Sequence, residues 1–348
     1  MRPSTLRPAG RALQKRSYST PSSKPRHLLT IADLSASEFT TLVRNASSHK
    51  AALKAGTTPP ALKNALLDKT VAMMFSKRST RTRVSTEAAV VSMGGHPMFL
   101  GSSDIQLGVN ESLYDTSVVI SSMVSAMVAR VGHHSEVADL AKHSSVPVIN
   151  ALSNDFHPLQ TIADFLTIHE AFGNKEGKKL GVEGLKVAWV GDANNVLFDL
   201  AIACQKLGVE IAVASPKGYE IPSHMKDLIN SSAPLSRSLL TETTVPEEAI
   251  KDADILVTDT WISMGQEEES AKRLKAFAGY QITEELAKKG GAKKGWKFMH
   301  CLPRHQEEVD DAVFYGNRSL VFPEAENRLW AAIAALEGFV VKAGKIEG

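Results

Sequence analysis

A chain of 348 residues, 43% hydrophobic and 22% charged, is long enough for two globular domains, each with its own core. No uninterrupted apolar run approaches the roughly 20 residues that span a bilayer, so no membrane partner is expected. The formal net charge is only +2, which argues against a nucleic-acid-binding body, but the charge is unevenly spread.

Residues 1–32 contain no Asp or Glu, whereas Arg2, Arg7, Arg11, Lys15, Arg16, Lys24 and Arg26 are basic. Ser, Thr and Pro fill the gaps, a composition that fits an organelle transit peptide over residues 1–26, with processing near Arg16-Ser17-Tyr18-Ser19. A disordered basic tail that binds nucleic acid is the other reading of the same charges. Loss of residues 1–18 removes five of these cations and leaves a formal charge of about −3.

From residue 27 the pattern becomes globular. Helices are predicted over Ala36–Ala52 and Pro60–Leu67, separated by the breaker Thr57-Thr58-Pro59-Pro60. Val71-Ala72-Met73-Met74-Phe75 reads as a buried strand, and Val84, Ala88 and Val91 at i, i+4, i+7 read as a helix ending near Gly94-Gly95. Ser76-Lys77-Arg78-Ser79-Thr80-Arg81-Thr82-Arg83 lies where the strand gives way to the helix. A helix start offers N–H groups without intrahelical partners and the positive end of the dipole. Ser79, Thr80 and Thr82 add hydroxyl donors, and Arg81 adds a fork suited to phosphate. A compact phosphorylated ligand fits this loop; a solvated basic turn whose hydroxyls cap the helix is the alternative.

Pro97–Leu100 is a short strand candidate, and the loop Gly101–Asn110 leads to a helix from about Glu111 to Val124. Ala126–Val131 predicts a second buried strand with Arg130 at its carboxyl end, followed by a helix at Ser135–His143 and a strand at Pro147–Ala151. Strands alternating with helices imply parallel βαβ units, whose ligands bind beyond the strands' carboxyl ends. Arg130 there needs an anionic partner, either a ligand or an internal acid. His157 and Gln160 stand three apart across a helix start, with Pro158 in the first turn. Both suit an uncharged amide better than a phosphate, although a lone histidine there also serves as a cap. The helix stops at Gly173, and Asn174–Gly184, rich in Gly and Lys, reads as the domain boundary.

A second α/β unit starts with the strand Leu185–Val190. The next segment, Gly191-Asp192-Ala193-Asn194-Asn195, has one of the three glycines of the dinucleotide fingerprint, so NAD is not expected; the two asparagines serve equally well as helix caps. A helix runs to Leu207-Gly208 and contains Cys204 among apolar neighbours, which predicts a core thiol. Ile211–Ala214, Asp254–Thr258 and Trp296–Met299 are strands, and Pro246–Asp252 is a short helix. Asp259 ends a strand and opens the loop Thr260-Trp261-Ile262-Ser263-Met264-Gly265, which offers an acid for an ammonium, polar groups to orient it and a bend at Gly265. His300-Cys301-Leu302-Pro303 is a tight turn after a strand. His300 and His305 have no further ligands to make a metal site, and Cys301 has no adjacent base, so a lining role is expected. The last helix, Glu324–Lys342, carries Leu329, Ile333, Leu336 and Val340 on one face and Arg328 near its start.

Ser79-Thr80-Arg81-Thr82-Arg83 and His157-Pro158-Leu159-Gln160 resemble the carbamoyl-phosphate elements of the transcarbamylases. Asp259 with Ser263-Met264-Gly265, and His300-Cys301-Leu302-Pro303, resemble the ornithine branch of that family, over residues from about 27 to 342. The resemblance implies an α/β fold of two doubly wound parallel-sheet domains linked by two helices. Its expected limits are 27–165 for a carbamoyl-phosphate-binding domain, 166–184 for a linking helix and linker, 185–322 for an ornithine-binding domain, and 323–348 for a C-terminal helix packing back on the first domain. It implies that Ser79, Thr80, Arg81, Thr82, Arg130, His157, Gln160, Cys301 and Arg328 contact carbamoyl phosphate, and that Gln106 is lent to a neighbouring subunit. Asn195, Asp259, Ser263, Met264 and Leu302 would hold L-ornithine, with Arg81, Arg130, His157 and Cys301 at the chemistry. The implied activity is carbamoyl transfer giving L-citrulline and phosphate, in arginine biosynthesis, by a homotrimer of the mitochondrial matrix without metal or organic cofactor. Another amine acceptor, or a non-catalytic anion-binding protein on the same scaffold, is the alternative. Gly132 departs from the family pattern, which leads one to expect a bulkier residue.

Overall fold

The computed structural model describes residues 24–104, 111–173, 179–233, 238–262 and 269–346. Residues 1–23 of the expected transit peptide, Gln106, Ser263, Met264 and part of the expected domain boundary lie outside the described residues, whereas Arg26, inside the expected 1–26 limit, pairs with Glu38 and donates to Gly344 O at 3.0 Å. After a 3-10 turn at Ile31–Asp33, α1 (Ala36–Lys54) starts in a capping box: Ser35 Oγ accepts from Glu38 N, and the Glu38 carboxylate accepts from Ser35 N. The first α/β unit continues with β1 (Thr70–Phe75), α2 (Thr80–Ser92), β2 (His96–Gly101), α3 (Leu113–Met123), β3 (Ala126–Arg130), α4 (His134–His143), β4 (Val148–Leu152) and α5 (Pro158–Phe172). The second runs β5 (Lys186–Val190), α6 (Asn195–Leu207), β6 (Glu210–Ala214), α7 (Ser223–Ser231), β7 (Leu240–Thr243), α8 (Pro246–Ile250), β8 (Ile255–Thr258), α9 (Ser270–Ala276), α10 (Glu284–Gly290), β9 (Lys297–His300) and α11 (Asp311–Phe314). It ends in α12 (Val321–Leu336), which closes with a π-helical turn at Glu337–Val341.

Alternation along the strands explains the layering. In β1, Val71, Met73 and Phe75 enter one core while Ala72 and Met74 enter another. In β5, Val187 and Trp189 share the first of these cores, and Ala188 and Val190 face a third. Strands buried on both faces are those of parallel sheets covered by helices. The sheets are β2-β1-β3-β4 and β7-β6-β5-β8-β9, and all pairs are parallel. The core common to both sheets contains α5 and α12, which pack on each other. Every residue of α5 from Pro158 to His169 is buried, as a helix enclosed on all sides requires. Strand order reverses between β1 and β3 and again between β5 and β8, and ligand crevices open beyond the carboxyl ends at such points. This is the α/β architecture of two parallel-sheet domains joined by two helices that the motifs led us to expect.

Several local expectations are corrected. Pro60–Leu67 is a run of turns: Leu62 and Leu66 are buried as a helix would bury them, but Asn64 takes φ +54° and Asp68 φ +59°, which break the helical ladder. α2 forms, yet Val84, Ala88 and Val91 lie on its exposed side; Thr82, Ser85, Thr86, Ala89 and Val90 are the buried ones. α7, α9, α10, α11 and β7 were not anticipated, because each is short and offers too few apolar positions for a period to show. At Gly132 a Cβ would meet Glu136 Oε1 at 3.4 Å, an ordinary contact, so crowding does not explain the glycine.

α6 also ties the second domain to the first. The buried Asp199 accepts from Thr30 Oγ1 at 2.7 Å and Ile31 N at 2.8 Å through Oδ1, and from His157 N at 2.8 Å through Oδ2. Lys206, two turns on, donates to Ala32 O at 3.3 Å and Leu34 O at 2.5 Å. Burial pushes the Asp199 carboxyl up to about 7, against three donors that favour its charged form. Asp199→Ala would leave those buried donors unpaired and is expected to lower unfolding free energy by at least about 2 kcal/mol. A urea titration with an unchanged midpoint would contradict this.

Candidate active site

The loop between β1 and α2 is built by its cap. Ser79 is the N-cap of α2: its Oγ accepts from Thr82 N at 3.3 Å and donates to Thr82 Oγ1 at 2.9 Å. Thr80 is exposed in the first turn, whereas Thr82 is buried and its Oγ1 accepts from Arg328 Nη2 at 3.4 Å. Arg81 crosses to the second domain and donates from Nη2 to the Leu302 carbonyl oxygen.

Arg130 stands at the end of β3, 7% exposed, and its Nε has no hydrogen-bond partner among the described residues. Burial, reinforced by the charges of Arg328 and Arg81, pushes its pKa down to about 10. Arg328, 4% exposed on α12, is likewise pushed down to about 10, by burial first and with Arg81 adding to the shift. Among the described residues, Arg81, Arg130 and Arg328 form no ion pair. Three guanidiniums brought together with no carboxylate salt-bridged to them are an arrangement that an anion stabilises. The internal acid considered for Arg130 is not found among the described residues.

His157 is the N-cap of α5 and is 4% exposed. Burial and then the charges of Arg328, Arg130 and Arg81 push it well below the usual histidine range, so the ring is neutral at pH 7. Arg328 Nη1 lies 3.5 Å from His157 Nε2 and 2.6 Å from Gln160 Oε1, so α12 closes over the start of α5. The side chains expected to meet a phosphate and those expected to meet an amide thus share one neighbourhood.

The second domain supplies the opposite wall. Asp259, at the end of β8, accepts from Cys301 Sγ at 3.0 Å and from Asn194 Nδ2 at 2.8 Å. Burial, then the Asp259 charge, pushes the Cys301 thiol well above its usual range, so it is not a thiolate nucleophile. Asn195 is placed differently from its neighbour: its Nδ2 donates to Ser153 O of the first domain at 2.6 Å. Asn194, which also caps α6, is the asparagine that orients Asp259. Leu302 sits at φ +63°, a strained position for a branched side chain, and turns its carbonyl toward Arg81.

Glu308 was not visible in the sequence as part of the site. It is fully buried, and its carboxylate accepts from Trp261 N at 3.1 Å and His305 N at 2.8 Å, with His300 Nε2 at 3.0 Å. His300 Nδ1 accepts from Leu302 N at 2.9 Å, which leaves Nε2 to donate to Glu308. One carboxylate thereby holds the turn at Cys301-Leu302 against the loop after Asp259. Trp261 itself is core, stacked on Phe277 with ring centroids 5.0 Å apart. No group of three or more His, Cys, Asp or Glu side chains is arranged to hold a metal ion among the described residues.

Two family models divide the chain. Residues 26–170 match the carbamoyl-P binding domain, and residues 183–338 the Asp/Orn binding domain, of aspartate/ornithine carbamoyltransferase. The chain is 75% identical over 327 residues to the mitochondrial ornithine carbamoyltransferase of Emericella nidulans, covering 93% of this chain and 91% of that one. The crystal structure of a mitochondrial ornithine carbamoyltransferase from Coccidioides immitis superposes with a TM-score of 0.87 at 69% identity, covering 93% of this chain and 100% of that one. The ornithine carbamoyltransferase of Pyrococcus furiosus gives a TM-score of 0.84 at 42% identity, covering 92% and 98%. With both halves matched and the fold shared, the chain belongs to the aspartate/ornithine carbamoyltransferase family, on its ornithine carbamoyltransferase branch.

Proposed function

We infer that the chain transfers the carbamoyl group of carbamoyl phosphate to the side-chain amine of L-ornithine, giving L-citrulline and phosphate. The observation that carries this reading is the meeting of three guanidiniums that no carboxylate salt-bridges among the described residues, a neutral imidazole and, across the domain crevice, Asp259. Arg81, Ser79, Thr80, Thr82 and the first N–H groups of α2 hold the phosphate. Arg130 and His157 donate to the carbamoyl oxygen, Gln160 accepts from the carbamoyl –NH2, and Arg328 and Cys301 complete that pocket. Asp259 pairs the α-ammonium of ornithine, with Asn195, Ser263, Met264 and the Leu302 backbone around it.

The side-chain amine, with an ordinary pKa near ~10.4, attacks only as the free base, and a buried cationic pocket lowers that value. The N–C bond forms, the C–O bond to phosphate breaks with the electron pair leaving on phosphate, and the proton shed by the nitrogen passes to that phosphate. Negative charge grows on the carbamoyl oxygen beside Arg130 and His157, and donors placed there contribute roughly 3–4 kcal/mol each in favourable cases.

We also propose that the working form is a homotrimer in the mitochondrial matrix, with residues 1–26 as its import signal. Exposed Val84, Val91, Met98, Val118, Val119 and Met123 on α2, β2 and α3 support an apolar subunit contact near the segment that carries Gln106. A monomer in sedimentation would remove that part. The acid-free basic N-terminus and the mitochondrial naming of the relatives support the location. Matrix import that persists after deletion of residues 1–26 would remove it.

Purified protein is expected to release citrulline and phosphate in equal amounts from carbamoyl phosphate plus ornithine. With N-acetylornithine, putrescine or aspartate as acceptor the rate should fall at least about tenfold, because none presents both an α-ammonium for Asp259 and a side-chain amine. Equal rates with any of them would overturn the acceptor assignment, and no turnover with any acceptor would leave an anion-binding scaffold.

A further inference from the structure

Behind Gln160 lie two carboxyl groups to which the transfer chemistry gives no role. Gln160 and Asp164 are one turn apart on α5, and Glu324 and Arg328 are one turn apart on α12. Where the helices pack, these four side chains form a square, each 4% exposed or less. Gln160 Nε2 donates to Asp164 Oδ1 at 2.7 Å and to Glu324 Oε1 at 3.0 Å, while Gln160 Oε1 accepts from Arg328 Nη1 at 2.6 Å. Asp164 Oδ1 and Glu324 Oε1 thus converge on one –NH2, and two carboxyls held that close relieve their repulsion by sharing a proton. Glu324 Oε2 accepts from His300 N at 2.9 Å and so fixes the pair to the end of β9.

We propose that Asp164 and Glu324 are positioning residues that select a carbamoyl group over an isosteric acyl group, by holding the Gln160 amide with its oxygen toward the substrate. This rests on the carbamoyl-transfer reading above. With the amide reversed, its oxygen would face two carboxyl groups sharing one proton, and its –NH2 would face Arg328, which can only donate. Both contacts would be repulsive in a dry site, so one orientation survives. Burial pushes the Asp164 carboxyl up to about 7 and, with Asp164 beside it, Glu324 well above its usual range, as a pair sharing a proton requires.

A carbonyl oxygen accepts two hydrogen bonds, so Gln160 Oε1 retains capacity for a second donor beside Arg328. The carbamoyl –NH2 supplies one. Acetyl phosphate carries a methyl group of nearly the same size in that place and leaves the buried acceptor without a donor. Sites built around such a bond reject the analogue that lacks it far more strongly than apolar pockets reject a missing methylene.

The test compares the KM for carbamoyl phosphate with the inhibition constant for acetyl phosphate, in the full-length protein and in Asp164→Asn/Glu324→Gln. In the double variant His300 N–H claims the oxygen of the new amide at 324, whose –NH2 then faces Gln160 and favours the reversed orientation. The wild-type preference for carbamoyl phosphate is expected to be roughly 10²-fold or more, falling at least tenfold in the variant. The Kd for inorganic phosphate, which needs only the arginine cradle and the loop, should be unchanged. General damage would weaken all three ligands together and leave the ratio intact, and that result overturns the proposal. If the double variant does not fold, Glu324→Gln alone carries the same expectation. A wild-type preference below about tenfold overturns the proposal without any variant. Absence of citrulline formation by the wild type would instead refute the functional reading and this inference with it; citrulline formation with an unmoved ratio refutes only the inference.

Discussion

Arg130→Met is expected to reduce carbamoyl transfer by on the order of 10²–10³-fold in kcat while raising the melting temperature of the ligand-free protein. The two effects have one cause. Arg130 is 7% exposed and meets Arg328 and Arg81 with no carboxylate paired to it among the described residues. Displacement of its pKa from 12.5 to about 10 corresponds to roughly 3 kcal/mol of unfavourable environment for the charge. Because the depressed group is a cation, this cost is present at every pH below about 10 and disappears only above it. Methionine keeps much of the aliphatic path and removes the charge. Inorganic phosphate should raise the melting temperature of the wild type through binding to the folded form, and less so that of the variant. A variant that melts below the wild type and retains its turnover would show that Arg130 is a structural cation.

That tension between stability and chemistry also explains which parts of the molecule could be read from the sequence. Strands such as Val71–Phe75 and Lys186–Val190 announce themselves because both faces are buried and the run is continuously apolar. Ser79, Arg81, Thr82, His157 and Gln160 stand in contiguous motifs at the ends of elements, where a local pattern is enough to suggest an anion site for the first three and an amide site for the other two. Arg130 was identifiable only because a guanidinium at the end of a buried strand is costly.

Carboxylates whose partners are distant in sequence left no such trace. Asp199 bonds residues 30, 31 and 157; Glu308 bonds residues 261 and 300; Glu324 bonds residues 160 and 300. In the sequence each is an acidic residue among many, and only the packing of α5, α6, α12 and β9 gives it a role. At α2, Val84, Ala88 and Val91 marked the helix correctly, yet the isolated chain exposes them. Periodicity reveals that a helix has an apolar side, not whether that side meets its own sheet or another subunit.

Glu308→Ala is expected to lower unfolding free energy by about 3–5 kcal/mol and to abolish transfer at temperatures where the variant is still folded. The carboxylate is fully buried and is the shared acceptor for Trp261 N, His305 N and His300 Nε2. Burial pushes its pKa up, but the hydrogen bonds from His300 and His305 outweigh burial and set it below 4.5. A depressed carboxyl contributes stability that is full above the unfolded value and fades as pH falls through the folded one. The acid side of the wild-type stability profile should therefore steepen below about pH 4.5, and this steepening should be missing in the variant. Glu308→Gln separates the structural role from the functional one. Its oxygen can serve only part of the donor set, and its –NH2 must oppose a backbone N–H, so the loop carrying Trp261 and the turn carrying Leu302 are no longer held by one group. Because that loop follows Asp259, the KM for ornithine should rise at least about tenfold, while the Kd for phosphate, set mainly by Arg81, the loop hydroxyls and the start of α2, should change little. Equal weakening of both ligands would mean that Glu308 supports the whole domain instead of orienting the ornithine wall.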